Sequence, residues 1–200
     1  MIKTIKIFNK KLYKKSKKEL EKSSEFLSYY YSPTLTVLKQ FLKSLKNKNI
    51  LEIGYRDGKF LYYLKKNGAN ACGIDIKPEK TNKSLLKMSI ENVNPKFLNK
   101  NNNKFHAIIE RITLSKLYDK NYFLKTSKHR FNDKKKILSN LYKLLKPRGI
   151  LILQDDRGTV FTKSQFEKIG FKKVLKEIPI RFRDKEGKNL GWNILVVYQK

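Results

Sequence analysis

The sequence predicts a doubly wound α/β fold, built on a mostly parallel β-sheet with helices on both faces. Two observations lead to this prediction. From Ile50 onward, short apolar segments alternate with segments whose apolar residues have helical spacing. Residues 171–199 then contain two apolar segments around a glycine-containing turn, which predicts a C-terminal antiparallel hairpin with one antiparallel strand at the sheet edge. The length of 200 residues fits a single domain.

The N-terminal segment is rich in lysine. We predict that residues 1–24 are a lead-in and that residues 25–200 form the domain. Residues 1–22 are compatible with a solvated helix, a nucleic-acid-binding arm or an amphipathic segment on a membrane surface, and we favour the solvated helix. Pro33 is expected to begin the next helix. The apolar side of that helix is formed by Leu35, Leu38, Leu42 and Leu45.

The first half of the domain is predicted to contain four strands. They cover residues 49–54, 70–76, 86–90 and 104–112. Helices are expected at residues 59–68, where Gly68 closes the helix, and at residues 78–86. Residues 92–104 are polar and are expected to form a loop.

The second half continues the alternation. Residues 133–146 predict a helix that ends before Pro147. One face of this helix carries Ile137, Leu138, Leu141, Leu144 and Leu145. A fifth strand is predicted at residues 149–156. Thr162 and Gln165 have the spacing of a capping box, which predicts a helix over residues 163–170.

The chain is strongly basic. It contains 47 basic and 17 acidic residues, which give a formal net charge of +30. Such a charge attracts polyanions and predicts salt-dependent, non-specific contact with nucleic acid. Because the lysines are spread along the whole chain, we favour a compositional origin over a dedicated binding surface.

Cysteine and histidine usage restricts the chemistry. The single cysteine, Cys72, leaves no intramolecular disulfide, and His106 and His129 lack the spacing of zinc ligands, so no metal is expected. The longest apolar segments, such as residues 149–153, are too short to span a membrane, and the N-terminus lacks the apolar region of a signal peptide. We therefore expect a soluble, cytoplasmic protein of unassigned oligomeric state.

Acidic residues lie at the ends of the predicted parallel strands. They are Glu52, Asp75, Glu91, Glu110 and the pair Asp155 and Asp156. In a doubly wound sheet, ligands bind beyond these carboxyl ends, where the strand order reverses. An acidic rim in so basic a protein indicates a ligand with hydroxyl groups and positive charge.

Four segments occur in a characteristic order: "LEIGYRDG", "GIDI", "FHAIIERITLSKL" and "LYKLLKPRGILIL". In this order they resemble the motifs of the class I S-adenosylmethionine-dependent methyltransferases, which have a Rossmann-like fold. The resemblance covers residues 25–200 and implies S-adenosylmethionine as the cofactor. It implies cofactor contacts at Glu52, Gly54, Tyr55, Gly58, Asp75, Ile76, Ser89, Ile90 and Glu110.

The resemblance also implies individual roles. The turn around Gly54 and Gly58 would present backbone N–H groups to the methionine portion of the cofactor. Glu52 would stand near the ammonium group. Asp75 would accept hydrogen bonds from the ribose hydroxyls, and Ile76 would cover one face of the adenine.

Three positions depart from the family pattern. Arg56 stands where the family usually has a middle glycine, and Ser89 aligns with the aspartate that contacts the adenine amino group. His106 replaces a frequent aspartate at the start of the fourth strand, and we favour a structural role for it over that of a base. These departures leave room for weakened cofactor binding.

Alternative functions were weighed against this resemblance. A nicotinamide-dependent dehydrogenase would require G-x-G-x-x-G, whereas only Gly54 and Gly58, four residues apart, are in phase here. No catalytic residue is assigned, because methyl transfer depends mainly on positioning. Candidates for shaping the acceptor site are Glu110, Arg111, Asp155, Asp156 and Arg157. The preferred function is a methyltransferase acting on a small molecule or nucleic acid; the alternative is a protein that keeps the fold without the cofactor and binds nucleic acid or another partner.

Overall fold

The computed structural model describes residues 8–111, 134–155, 161–183 and 189–200. Within these residues, seven strands form one sheet in the order β3-β2-β1-β4-β5-β7-β6. The strands are β1 (Asn49–Ile53), β2 (Asn70–Asp75), β3 (Leu85–Lys87), β4 (Phe105–Arg111), β5 (Leu145–Asp155), β6 (Lys172–Arg183) and β7 (Asn189–Gln199). The helices of the same residues are α1 (Lys10–Glu21), α2 (Glu25–Leu42), α3 (Lys59–Lys66), α4 (Pro95–Asn101), α5 (Lys134–Leu144) and α6 (Lys163–Ile169).

The sheet is doubly wound. Strands β1 to β5 pair in parallel, and their order reverses between β1 and β4, which are neighbours in the sheet. This confirms the predicted fold class and places the ligand crevice beyond the carboxyl ends of β1 and β4. The predicted C-terminal antiparallel hairpin is confirmed, but the expectation that its antiparallel strand lies at the edge of the sheet was wrong. β7 is antiparallel to both β5 and β6, and β6 forms the edge.

Successive side chains of the central strands point to opposite faces of the sheet and pack into two separate hydrophobic cores. Ile50, Ile109 and Ile152 belong to the core on the side of α2 and α3. Leu51 and Ile108 belong to the core on the side of α5 and α6. Because both faces are covered, the parallel strands are apolar almost throughout, as expected for a buried sheet.

The two N-terminal helices pack against each other. Ser16 and Leu20 of α1 are buried, whereas most of its lysines are exposed, as the solvated-helix interpretation predicts for the outer surface. α2 begins at Glu25, so the prediction that Pro33 starts this helix was wrong, and Pro33 lies inside it. Burial of residues 31–38 against the sheet stabilises the helix despite the proline. Among the residues described, no helix has the length and apolar character needed to cross a membrane.

Local asparagine contacts account for two further corrections. No helix forms within the described residues 78–84, because the Asn82 side chain accepts hydrogen bonds from the Ser84 and Leu85 N–H groups and stabilises a turn. The segment at 92–104 contains α4, whose first turn is capped by the Asn94 side chain accepting from the Lys96 N–H group at 2.8 Å.

The second half of the domain agrees more closely with the sequence prediction. The capping box of α6 is confirmed, with Thr162 and Gln165 bonded reciprocally. β5 begins at Leu145, earlier than expected, and continues through Pro147. Its pairing with β4 shifts register between Phe105 and Ala107, which accommodates the proline outside the regular ladder.

Candidate functional site

The turn between β1 and α3 forms one wall of the crevice. Gly54, Arg56 and Gly58 all have left-handed backbones, with φ angles of 74°, 51° and 73°. The Gly54 N–H group donates to the Ile74 carbonyl at 2.8 Å and joins the turn to β2. A Cβ atom on Gly58 would lie 3.2 Å from Leu85 Cδ1, so glycine also permits close packing at this point.

Asp75 lies at the carboxyl end of β2 and is held by two backbone groups. Its Oδ2 accepts from the Arg56 N–H group at 2.9 Å, and its Oδ1 accepts from the Lys77 N–H group at 2.8 Å. Each carboxylate oxygen can accept a second hydrogen bond, and the residue is only half-buried. The turn therefore orients a carboxylate that can still bind hydroxyl groups.

Arg56 occupies a glycine-like backbone position without filling the turn. Its guanidinium Nε lies 2.8 Å from Glu79 Oε1, and 76% of its side chain is exposed. The Glu79 N–H group also donates to the Arg56 carbonyl at 3.1 Å. The arginine side chain thus lies outward along the surface, although its backbone is strained.

Glu52 is the buried carboxylate of the site. Its Oε1 accepts from the Tyr31 hydroxyl at 2.9 Å. Its Oε2 is buried and has no hydrogen-bond partner among the residues described. Burial raises the pKa of Glu52 to about 7, although the Tyr31 hydrogen bond and the positive charge of Arg111 act in the opposite direction.

α2 covers this part of the sheet with polar contacts. The Thr34 hydroxyl donates to Gln154 Oε1 at 2.9 Å, and Gln154 Nε2 donates to the Tyr30 carbonyl at 3.3 Å. The Arg111 guanidinium lies 4.5 Å from the centre of the Tyr31 ring and 5.0 Å from that of Tyr30. Glu52, Arg111 and Gln154 therefore form a polar row under the helix.

Sequence reasoning missed the α2 contribution to the site. The one available signal was Gln154, the first polar residue after the apolar segment of β5, and its side chain is completely buried. Nothing in the spacing of the helix indicated that Tyr31 faces Glu52.

Tyr55 and Ile90 are buried in the protein. The Tyr55 ring lies beneath β2, where a Cβ atom on Gly73 would be only 2.5 Å from its Cδ1. The Tyr55 hydroxyl donates to the Lys80 carbonyl at 2.7 Å. Ile90 belongs to the core on the α5 side. A cofactor contact at Tyr55 therefore has to use the backbone.

The remaining expected cofactor residues lie at different depths. Ile76 is half-buried beside the α5-side core. Ser89 uses its hydroxyl to accept from the Glu91 N–H group at 3.2 Å. Glu110 follows Ile109 at the end of β4 and is buried, with its Cα opposite that of Ile53 in the ladder.

The candidate acceptor residues are only partly described. Glu110 and Arg111 end β4, and the backbone of Asp155 ends β5. Asp156 and Arg157 lie outside the described residues.

His106 lies far from the crevice, at the amino end of β4. Its Nδ1 accepts from the Asn49 N–H group at 3.0 Å. Burial and the neighbouring Lys146 and Lys48 lower the pKa of His106 and favour the neutral ring. These contacts agree with the structural role that the sequence analysis favoured.

Comparison with known proteins gives a family and several similar folds. Residues 25–189 match the family described as "Methyltransferase domain". No curated protein matches the sequence.

Three solved structures illustrate the similarity of fold. The 1,6-didemethyltoxoflavin-N1-methyltransferase of Burkholderia thailandensis, with bound 1,6-didemethyltoxoflavin and S-adenosylhomocysteine, is 12% identical, with a TM-score of 0.58 over 92% of this chain and 88% of that chain. A SAM-dependent methyltransferase of Aquifex aeolicus is 19% identical, with a TM-score of 0.52 over 90% and 97% of the two chains. One from Archaeoglobus fulgidus is 12% identical, with a TM-score of 0.53 over 88% and 98%.

Proposed function

The chain belongs to the methyltransferase-domain family, and on that basis we propose that it binds S-adenosylmethionine and transfers its methyl group to an acceptor. The observation that carries this proposal is the arrangement of Asp75. Two backbone N–H groups hold its carboxylate at the end of β2, beside the left-handed turn after β1. S-adenosylhomocysteine is bound in one of the proteins with a similar fold.

The side chains present fit this cofactor chemically. The ribose of S-adenosylmethionine offers two hydroxyl donors, and the Asp75 oxygens retain lone pairs to accept them. Its ammonium group is a cationic donor, and Glu52 Oε2 is a buried acceptor with no hydrogen-bond partner among the described residues. Buried polar atoms without partners are uncommon in folded proteins, so this oxygen supports a ligand at the site.

The protein's part in the reaction is positioning. S-adenosylmethionine, when bound, supplies a methyl group on an already activated sulfonium. Asp75 would fix the ribose, and Glu52 would hold the ammonium group. Tyr31 and the ring of Tyr30 would keep water from the buried carboxylate, which strengthens its attraction for a cation. Glu110 and Arg111 would shape the acceptor side at the end of β4.

The acceptor is a small molecule or a nucleic acid in this proposal. The exposed lysines of α1 favour contact with phosphates through charge alone. They do not favour insertion into a membrane surface, because the buried side of α1 is already packed on α2.

The second candidate function is a binding protein that keeps the methyltransferase fold without the cofactor. Arg56 favours it, because a strained arginine replaces a glycine at the centre of the turn. Ser89 favours it as well, because its hydroxyl already accepts a hydrogen bond from the backbone of Glu91.

Isothermal titration calorimetry separates the two functions. We expect one equivalent of S-adenosylmethionine or S-adenosylhomocysteine to bind, and NADH, which also carries an adenosine, to bind far more weakly. If neither sulfur-containing ligand binds, the second candidate becomes the better one. A parallel filter-binding series with unrelated RNAs should show weak binding that falls steeply with salt. Tight, structure-selective RNA binding at physiological salt would instead indicate a nucleic-acid acceptor or partner.

A further inference from the structure

We propose that Tyr31 is a positioning residue for the cofactor: its hydroxyl holds one oxygen of the Glu52 carboxylate and thereby leaves the other oxygen for the cofactor's ammonium group. The inference rests on the proposed function. It adds a role for α2, a helix that carries none of the motif residues.

Tyr31 contacts the site on three sides. Its hydroxyl donates to Glu52 Oε1, at the end of β1. Its ring stacks on Phe60, in the first turn of α3, with ring centres 4.1 Å apart. The guanidinium of Arg111, at the end of β4, lies over the same ring. One buried side chain therefore joins the residues before and after the glycine turn to β4.

The hydrogen bond from the Tyr31 hydroxyl orients the Glu52 carboxylate. The terminal torsion of a glutamate side chain has a broad range, so the hydrogen bond that fixes Oε1 also fixes the direction of Oε2. Because Oε2 has no hydrogen-bond partner among the described residues, the arrangement is incomplete without a further donor. A buried carboxylate with one unsatisfied oxygen costs stability, which a cationic ligand would recover.

Four groups act on the charge of Glu52. Burial disfavours the ionised form, and the negative charges of Asp57, in the turn, and Asp75, on β2, add to this. Tyr31, on α2, and Arg111, on β4, favour the ionised form. Removing the Tyr31 hydroxyl should therefore raise the pKa of Glu52 further and reduce the fraction able to attract an ammonium group at neutral pH.

The test is the substitution Tyr31→Phe, which keeps the ring contacts with Phe60 and Arg111. The probe is S-adenosylhomocysteine, which carries the same ribose and ammonium groups as the methyl donor. We expect its affinity at pH 7 to fall by up to about tenfold, because a higher pKa leaves less of Glu52 ionised and its second oxygen is no longer held toward the ligand. In the wild type, affinity should rise with pH around the pKa of Glu52, and in the variant this rise should move to higher pH.

Thr34→Val is the matched control. It lies one turn further along α2 and removes a buried hydrogen bond of the same length, from Thr34 to Gln154. We expect Thr34→Val to lower the thermal stability about as much as Tyr31→Phe does. It should leave the pH midpoint of S-adenosylhomocysteine binding unchanged. The ammonium group of the free ligand titrates identically in every experiment, so the unbound ligand does not produce a difference between the proteins.

A second probe isolates the ammonium group. An analogue of S-adenosylhomocysteine without the amino group should bind the wild type and the Tyr31→Phe variant equally. The proposal is overturned if Tyr31→Phe binds S-adenosylhomocysteine within twofold of the wild type at the same pH midpoint, or if Thr34→Val produces the same shift. If the wild type binds neither S-adenosylhomocysteine nor S-adenosylmethionine, the proposed function itself has failed.

Discussion

At the amino ends of the parallel strands, polar side chains find their partners within the chain, whereas at the carboxyl ends they do so only in part. His106 accepts from the Asn49 N–H group at the amino end of β4. Nearby, the Lys200 ammonium group donates to Asn103 Oδ1 and to the carbonyls of Tyr142 and Leu145. At the opposite end, Glu52 Oε2 is buried with no such partner among the described residues.

The difference between the two ends distinguishes polar side chains that stabilise the fold from polar side chains that are available to a ligand. At the amino ends, the contacts of His106 and Lys200 join neighbouring segments to the sheet. The buried Glu52 oxygen without a hydrogen-bond partner lowers stability. Such destabilising groups are expected at functional sites, where a bound ligand supplies the missing partner. Asp75 is an intermediate case, because backbone groups orient it while its oxygens still have room for further donors.

The largest expected effect comes from Glu52→Gln, which keeps an acceptor for Tyr31 and removes the charge. Burial raises the pKa of Glu52 from 4.5 to about 7, so between these values the folded protein holds a proton that the unfolded chain releases. The stability that this proton contributes is complete below pH 4.5 and is lost as the pH rises through 7. The loss amounts to about 3 kcal/mol for the ligand-free protein. Between pH 5 and pH 8, urea unfolding should therefore show the stability of the wild type falling relative to that of Glu52→Gln by about 2.5 kcal/mol.

His106→Gln, at the amino ends, is the comparison variant: because the pKa of His106 is lowered in the folded protein, removing it should make the fall in stability with rising pH steeper, whereas Glu52→Gln should abolish that fall. If the wild type and Glu52→Gln have parallel stability curves between pH 5 and pH 8, the carboxylate is not desolvated as described.

Asp75→Ala should weaken S-adenosylmethionine binding, because the ribose hydroxyls lose the carboxylate oxygens that would accept their hydrogen bonds. Hydrogen bonds to charged groups contribute about 1.5–3 kcal/mol, so calorimetry should show a loss of about tenfold to a hundredfold. His106→Ala, at the opposite end of the strands, and Lys18→Ala, on the exposed side of α1, should leave the affinity unchanged. Unaltered binding by Asp75→Ala would remove the ribose assignment and, with it, the functional contrast between the two ends.

The smallest expected effect is that of Arg56→Gly. Glycine adopts the φ angle of 51° without strain, so stability should rise by about 0.5–1 kcal/mol, less the small contribution of the exposed pair with Glu79. Cofactor affinity should remain within a few-fold of the wild type or improve. Lys43→Gly, at another left-handed position, with φ 65°, is the control outside the site. Loss of binding in Arg56→Gly alone would show that the arginine is a working contact.

The sequence was sufficient for most of the parallel part of the fold, because β1, β2, β4 and β5 each contain a short run of apolar residues. It also located Glu52 and Asp75 at strand ends, since those segments stop beside them. The errors have local physical causes. The side chains of Asn82 and Asn94 form hydrogen bonds with nearby backbone N–H groups and so determine the local backbone conformation. The spacing of apolar residues contains no information about these bonds.

The unpredicted part of the site depends on contacts between distant segments. The hydrogen bond from Tyr31 to Glu52 depends on which side of α2 faces the sheet. The predicted start of that helix was also wrong, because Pro33 lies inside the helix and not in its first turn. The direction of the Tyr55 ring likewise depends on Gly73, whose missing side chain creates the space that the ring fills. Neither pairing leaves a pattern within a short window of sequence.

The hydrogen bond between Thr34 and Gln154 joins residues 120 positions apart in the chain. Synthesis delivers α2 early and β5 late, so α2 has no complete sheet to cover until most of the polypeptide exists. During that interval Glu52 remains hydrated and ionised at little cost. The penalty for burying it is incurred only when this long loop closes, a step whose entropy cost also makes it slow. We therefore expect the contact between α2 and β5 to form late in folding, and a chain that stopped before β5 would contain α2 without the Gln154 partner of Thr34.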